Sequence, residues 1–252
     1  MTTMSLALLG LCSVIVGLLV GAVGIGGILL VPTMTFLLGF DVHTAIAAAM
    51  FAYIFAGIAG AHYFLVNRLI EGKTALYLFA GAAPGGLAGA LVATYVPATV
   101  LSLLIAAVVA FAGVDALRKR GKGAERTDPL PGLALVAIGF VTGTACAMSG
   151  AGGPLVLIPI LVALRTPALA AVGLGQTIQI PIGLLATAGN VANGKLNLLV
   201  GAILAAGLVA GVSFGARLAS RVHPERLRLI LAWVLVAVAL SMVARVLADA
   251  AG

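Results

Sequence analysis

The sequence predicts an all-α polytopic membrane protein, built as two inverted-topology repeats of five apolar segments each, with about eight full spans and two short glycine-broken half-helices. Three observations carry that prediction. Of 252 residues, 63% are hydrophobic and only 8% charged, against roughly 25% charged in soluble domains. The glycines fall into register when the chain is shifted by 126 residues, half its length. The basic residues gather in alternate loops between apolar segments, the pattern that orients membrane proteins.

Breaking the chain at glycine, proline and charge gives apolar segments near 4–22, 27–40, 44–65, 74–96, 99–118, 130–148, 153–164, 168–191, 197–219 and 228–248. About 20 apolar residues span a bilayer as a helix, and about 17 is the lower limit. Charge-free runs such as 74–114 and 129–164 exceed this. The segments near 27–40 and 153–164 are too short to cross comfortably, and each follows a glycine cluster, so each pairs with its predecessor as a broken or re-entrant unit. A transmembrane barrel would alternate apolar and polar residues, which this chain does not do. Helices then remain the way to satisfy the backbone in lipid. The opening "MTTMSLALLGLCSVIVGLLVG" has no basic n-region, so the first segment is expected to be a retained helix and not a cleaved signal. Cys12 and Cys146 lie inside apolar segments without partners at metal-ligand spacing and read as packing residues.

The internal repeat is specific in order and spacing. Gly17 meets Gly143, Gly24 meets Gly150, Gly26 meets Gly152 and Gly27 meets Gly153. Further on, Gly81, Gly85 and Gly89 meet Gly207, Gly211 and Gly215. Five segments is an odd number, so the second copy enters the membrane upside down. Twelve of the fourteen basic residues then share one side, including Arg68, Lys73, Arg165 and the run Arg118–Arg126, while Lys195 and Arg245 lie on the other. The positive-inside rule places both termini outside the cytoplasm, with the chain in the cytoplasmic membrane. The first repeat covers 1–117, a basic cytoplasmic linker 118–129 and the second repeat 130–252. The formal charge of +7 therefore reads as orientation, and nucleic acid is not an expected partner.

Inverted repeats with discontinuous helices point to a secondary transporter, with substrate near the midplane at the repeat interface. In each half a long segment runs into GxGG and a new helix starts at once, helped in the second copy by Pro154 in its first turn. Bare N–H groups and a positive dipole end then face the break. Two such breaks approaching from opposite sides suit a small anion. Gly24, Gly26, Gly27, Gly150, Gly152 and Gly153, with the adjacent Ser149, are the candidate substrate contacts from this motif. Close helix packing is the alternative role for glycine clusters, and it is the preferred one for Gly81, Gly85, Gly89, Gly207, Gly211 and Gly215.

The segment "VGLGQTIQIPIGLLATAGNVANG" is the most polar of the apolar segments. Gln176, Thr177 and Gln179 precede Pro181, which frees a carbonyl from its helical bond, and amides in lipid need partners. Their first-half counterparts are Met50, Phe51 and Tyr53, so the site is expected to be asymmetric, with Tyr53 as the first-half hydroxyl. His62 is a candidate proton carrier because its reference pKa is near neutrality, although a lone histidine near a helix end is more often a structural or interfacial residue. Asn190 and Asn193 are candidates for gating or capping. Coupling to protons or to the membrane potential is left open. No metal cluster, cofactor motif or catalytic constellation is visible, so neither an enzyme nor a cofactor is expected.

The duplicated "GIGGILLVP" and "GAGGPLVLIP", each followed by an alanine-rich segment and then by the polar turns "NRLIEGK" and "NGKLN", resemble the TauE/SafE sulfite-exporter family of membrane permeases. The resemblance covers nearly the whole chain. It implies transport of small sulfur-containing or organic anions such as sulfite, sulfonates, sulfoacetate or thiosulfate, and it assigns the family glycines to Gly24, Gly26, Gly27, Gly150, Gly152 and Gly153. The chain departs from the family where a small hydroxyl residue is expected, with Gln176 followed by Thr177. The expected function is therefore a permease for a small anion working by alternating access, in contact with lipid. Its rival is a non-transporting membrane scaffold for an enzyme complex. Oligomeric state is not legible in the sequence.

Overall fold

The computed structural model describes residues 3–23, 27–66, 68–117 and 130–219, together with seven isolated positions between 233 and 244. The described residues form helices: α1 (Thr3–Val23), α2 (Gly27–Leu37), α3 (Val42–Val66), α4 (Gly72–Tyr95), α5 (Ala98–Leu117), α6 (Gly132–Ser149), α7 (Gly153–Ala163), α8 (Ala168–Ala192) and α9 (Leu198–Ala219). The linker 118–129 and most of the last apolar segment lie outside the described residues, as do Gly24, Gly26 and Asn67. Among the described residues, five helices are long and apolar enough to cross a membrane: Val42–Val66, Gly72–Tyr95, Gly132–Ser149, Ala170–Ala192 and Leu198–Gly215. Leu6–Gly21, Gly27–Leu37, Ala98–Phe111 and Gly153–Ala163 are apolar but shorter.

The centre of the fold is the antiparallel pair α3 and α8, each 67% buried over its most apolar window. Alanine allows it: Ala45, Ala48, Ala49, Ala52 and Ala56 are fully buried along α3, and small side chains let helix axes approach. Gly57 faces the carbonyl of Gln176 and the side chain of Ile180, while Gly183 faces the carbonyl of Met50 and the side chain of Ile54. Those two sets of contacts are the same set displaced by 126 residues.

Outside this pair, α4 runs parallel to α6 and α1 runs parallel to α9. A Cβ at Gly81, Gly85 or Gly89 would strike the backbone of Val136, Phe140 or Thr144, and one at Gly207, Gly211 or Gly215 would strike Ser13, Val14 or Leu18. Both triplets are packing glycines, and Phe140 and Thr144 correspond to Val14 and Leu18 across the repeat shift, as Val136 does to Gly10, whose carbonyl lies 3.1 Å from a Cβ at Gly207. The loops repeat as well. Left-handed residues occur at Gly39 (φ 70°) and Arg165 (φ 65°), and at Arg68 (φ 53°) and Gly194 (φ 64°). Each pair is again 126 residues apart, with glycine in one copy and arginine in the other.

The short helices differ. α7 is α-helical from Gly153 to Ala163, whereas α2 opens with a 3-10 turn at Gly27–Leu29 and closes with a π turn at Thr33–Leu37. The wider turn shifts the closing bond by one residue. Phe40 N–H reaches Met34 O, where the second copy joins Thr166 N–H to Leu161 O.

Candidate functional site

The second glycine break is defined residue by residue. α6 ends at Gly150, whose left-handed φ of 65° and N–H bond to Cys146 O form its cap. Gly152 then takes φ 74°, ψ 154° as the N-cap of α7, a conformation that essentially only glycine tolerates. Gly152 has no side chain with which to cap α7, Pro154 in its first turn carries no N–H, and the Val156 N–H reaches the Cys146 sulfur, which leaves the N–H groups of Gly153 and Leu155 without an intrahelical partner. Beneath it, the Cys146 thiol donates to Gly152 O at 3.0 Å, which fixes the orientation of that peptide. Ser149 is buried and turns its hydroxyl back to Ala145 O at 2.7 Å.

Tyr53 joins this break to Gly27, where α2 begins. Its side chain is 1% exposed, and its hydroxyl donates to Gly27 O at 2.5 Å with Gly150 O at 3.4 Å from the same oxygen. The α2 end at Gly27 and the α6–α7 turn therefore meet at one side chain of α3. Gly27 permits this approach, since a Cβ there would lie 3.0 Å from the Tyr53 hydroxyl. Gly24 and Gly26 fall outside the described residues, so the first break is placed from Gly27 onward.

The α8 amides close the third side. Gln176 and Gln179 are 3% and 2% exposed, and Gln179 Nε2 donates to Gln176 Oε1 at 2.7 Å. That bond leaves Gln179 Oε1 directed to the α7 start, 3.4 Å from where a Gly152 Cβ would stand. Thr177 is buried but donates its hydroxyl to Gly173 O at 2.6 Å on its own helix. Gly153 is pressed against Gly175 O and the stem of Gln179. Gly27, Gly152, Gln179, Pro154 and Leu155 line a cavity of about 10 Å³, room for roughly one water molecule. The junction is contracted, with no room for an oxyanion as the helices are packed here.

The remaining candidates lie elsewhere. His62 is exposed on α3. Asn193 ends α8, its Nδ2 donating to Gly189 O at 2.8 Å, which is a capping role. Asn190 is buried, and its Nδ2 has no hydrogen-bond partner among the described residues. Three contributors escaped the sequence reading. Cys146 positions Gly152, while Gly57 and Gly60 bring α3 against Gln179 and Gln176. The cysteine had no distinguishing local signal; both glycines were visible in "FAGIAGAH", and Gly57 has a counterpart at Gly183 under the 126-residue shift, whereas Gly60 meets Ala186.

The sulfite exporter TauE/SafE family model matches residues 9–242. The probable membrane transporter protein YunE of Bacillus subtilis (strain 168) is 26% identical over 241 residues, covering 83% of this chain and 87% of that protein. No solved structure matches the chain.

Proposed function

Because the chain belongs to the sulfite exporter TauE/SafE family and is a multi-pass membrane transporter, we propose that its cargo is a small sulfur oxyanion, such as sulfite or a sulfonate, and that two inverted repeats move it by alternating access. The observation that carries the reading is the meeting of Gly27, at the start of α2, and the second glycine break at Tyr53, beside the buried Gln176–Gln179 pair. A charge at the bilayer centre costs at least about 2.5–3.5 kcal/mol. Each hydrogen bond to a charged group returns about 1.5–3 kcal/mol, and each helix N-terminus about 0.3–2. The α7 start with a few amide donors is enough to offset that cost.

The antiparallel crossing of α3 with its repeat counterpart α8 supports the inverted reading, since a copy in the same orientation would set the two parallel. The proposed orientation has both termini outside the cytoplasm and the basic linker inside, in the cytoplasmic membrane. The water-sized cavity fits an occluded state between the two open ones.

Flux of labelled sulfite, methanesulfonate and sulfoacetate into proteoliposomes tests the proposal. Saturable flux that is lost in Gln179→Leu, with folded protein retained, is the expected result. Silence with every anion from folded wild-type protein overturns it and leaves the scaffold.

A further inference from the structure

We propose that the site selects by charge number: it takes a singly charged oxyanion, and where the oxyanion is dibasic it takes the protonated, monoanionic form. This rests on the reading of the glycine-break junction as the anion site. The polar groups gathered there are all uncharged: the Gln176–Gln179 amides, the Tyr53 hydroxyl, the Cys146 thiol and the peptide groups of the α7 start. Among the described residues, no Lys, Arg or His lines the cavity. The three residues joining α1 to α2 are Gly24, Ile25 and Gly26, which carry no ionisable side chain. The titratable groups that face the junction are Tyr53 from α3 and Cys146 from α6, a phenol and a thiol that are ordinarily uncharged at neutral pH. Neither α2, α7 nor α8 contains an ionisable side chain, and His62 of α3 is exposed.

An ion's cost of leaving water rises with the square of its charge, whereas its attraction to fixed neutral dipoles rises only in proportion. Doubling the charge thus quadruples the cost and doubles the return. A guanidinium or an ammonium in the cavity would redress the balance, and among the described residues the lining has none.

The junction also presents acceptors. Gln179 Oε1 points to Gly152, and the carbonyls of Gly27 and Gly150 converge on Tyr53. A bare dianion meets these oxygens with repulsion. A hydrogen oxyanion brings an O–H that can donate to one of them while its other oxygens accept from N–H groups.

The test compares three labelled probes in proteoliposomes of the full-length protein, from mildly acid to mildly alkaline buffer, with protein-free liposomes subtracted. Methanesulfonate keeps one negative charge throughout, sulfate keeps two, and sulfite passes from monoanion to dianion. Methanesulfonate flux is expected to stay level. Sulfate should be slower by about tenfold or more, the ratio that 1.4 kcal/mol gives, and sulfite flux should fall with the monoanion fraction as pH rises. Sulfate moving as fast as methanesulfonate overturns the proposal, as does sulfite flux that is level or rises with pH. A parallel fall of methanesulfonate also overturns it, because the protein or a coupled proton is then titrating. Sulfite carried without methanesulfonate counts against it too, since charge is then not the selector. Flux of none of the three from folded protein refutes the anion site itself.

Discussion

Tyr53 donates its hydroxyl proton to the carbonyl of Gly27 across 2.5 Å, and this bond joins the centre of α3 to the start of α2. A phenol has one proton to give, so in the contracted state it is committed to the protein and not to a ligand. Removing the bond leaves a buried carbonyl without its partner, a loss of about 1 kcal/mol.

Tyr53→Phe is therefore expected to open the junction more often while keeping the ring in place. In a Cys12→Ser background, Cys146 is the remaining thiol and is fully buried. Its modification by a small thiol reagent should quicken about fivefold in the Phe variant, the factor that corresponds to about 1 kcal/mol. Unchanged labelling would show that the bond does not hold the site shut.

Side chains at the second break should act on the ligand. Gly152 has φ 74°, a strain of about 1–3 kcal/mol for other residues, and its Cβ would face Gln179 Oε1 and the Tyr53 ring. Gly152→Val is expected to abolish anion binding in calorimetry and Gly152→Ala to weaken it. Gly85→Ala and Gly211→Ala drive a Cβ into backbone instead, and their cost should appear as lost folded protein.

The α8 amides offer a sharper separation. Gln176→Leu or Gln179→Leu removes one partner of a buried pair, and a hydrogen bond to a charged ligand is worth about 1.5–3 kcal/mol. Affinity should fall by roughly 10- to 150-fold with the melting temperature moving only a few degrees. Normal affinity with reduced stability would assign the pair to packing.

The left-handed arginines give a prediction independent of any ligand. Arg165 (φ 65°) occupies the position that Gly39 fills in the first copy, and a side chain there costs about 1 kcal/mol or more. Arg165→Gly should raise thermal stability by about 1 kcal/mol, and Gly39→Ala should lower it by a similar amount. The opposite signs would break the correspondence of the two loops.

Single-cysteine labelling checks orientation. With Cys12 and Cys146 replaced, a cysteine introduced into the linker 118–129 is expected to resist an impermeant reagent applied outside intact cells. Labelling from outside would invert the topology.

The sequence by itself determined the helical class, nearly every helix and the glycine register, because those properties are local. Lipid leaves the backbone no partner but its own helix, so segment length and charge suffice to place α3, α4, α6, α8 and α9. The duplicated spacing of Gly81, Gly85 and Gly89 with Gly207, Gly211 and Gly215 needed no coordinates to be read as packing. It also marked the GxGG breaks and the polar stretch at Gln176. The tertiary structure decided what those residues do to one another. Tyr53 reaches Gly27 across 26 residues and Gly150 across 97, and no periodicity encodes a partner at such a distance. The Cys146 bond to Gly152, the pairing of Gln179 with Gln176 and the inward turn of the Thr177 hydroxyl follow from rotamers and peptide orientations fixed only when the helices cross. For the same reason the cavity is water-sized. Its volume is what remains after α3, α7 and α8 have packed, a difference of large contacts that the order of residues along one helix does not contain.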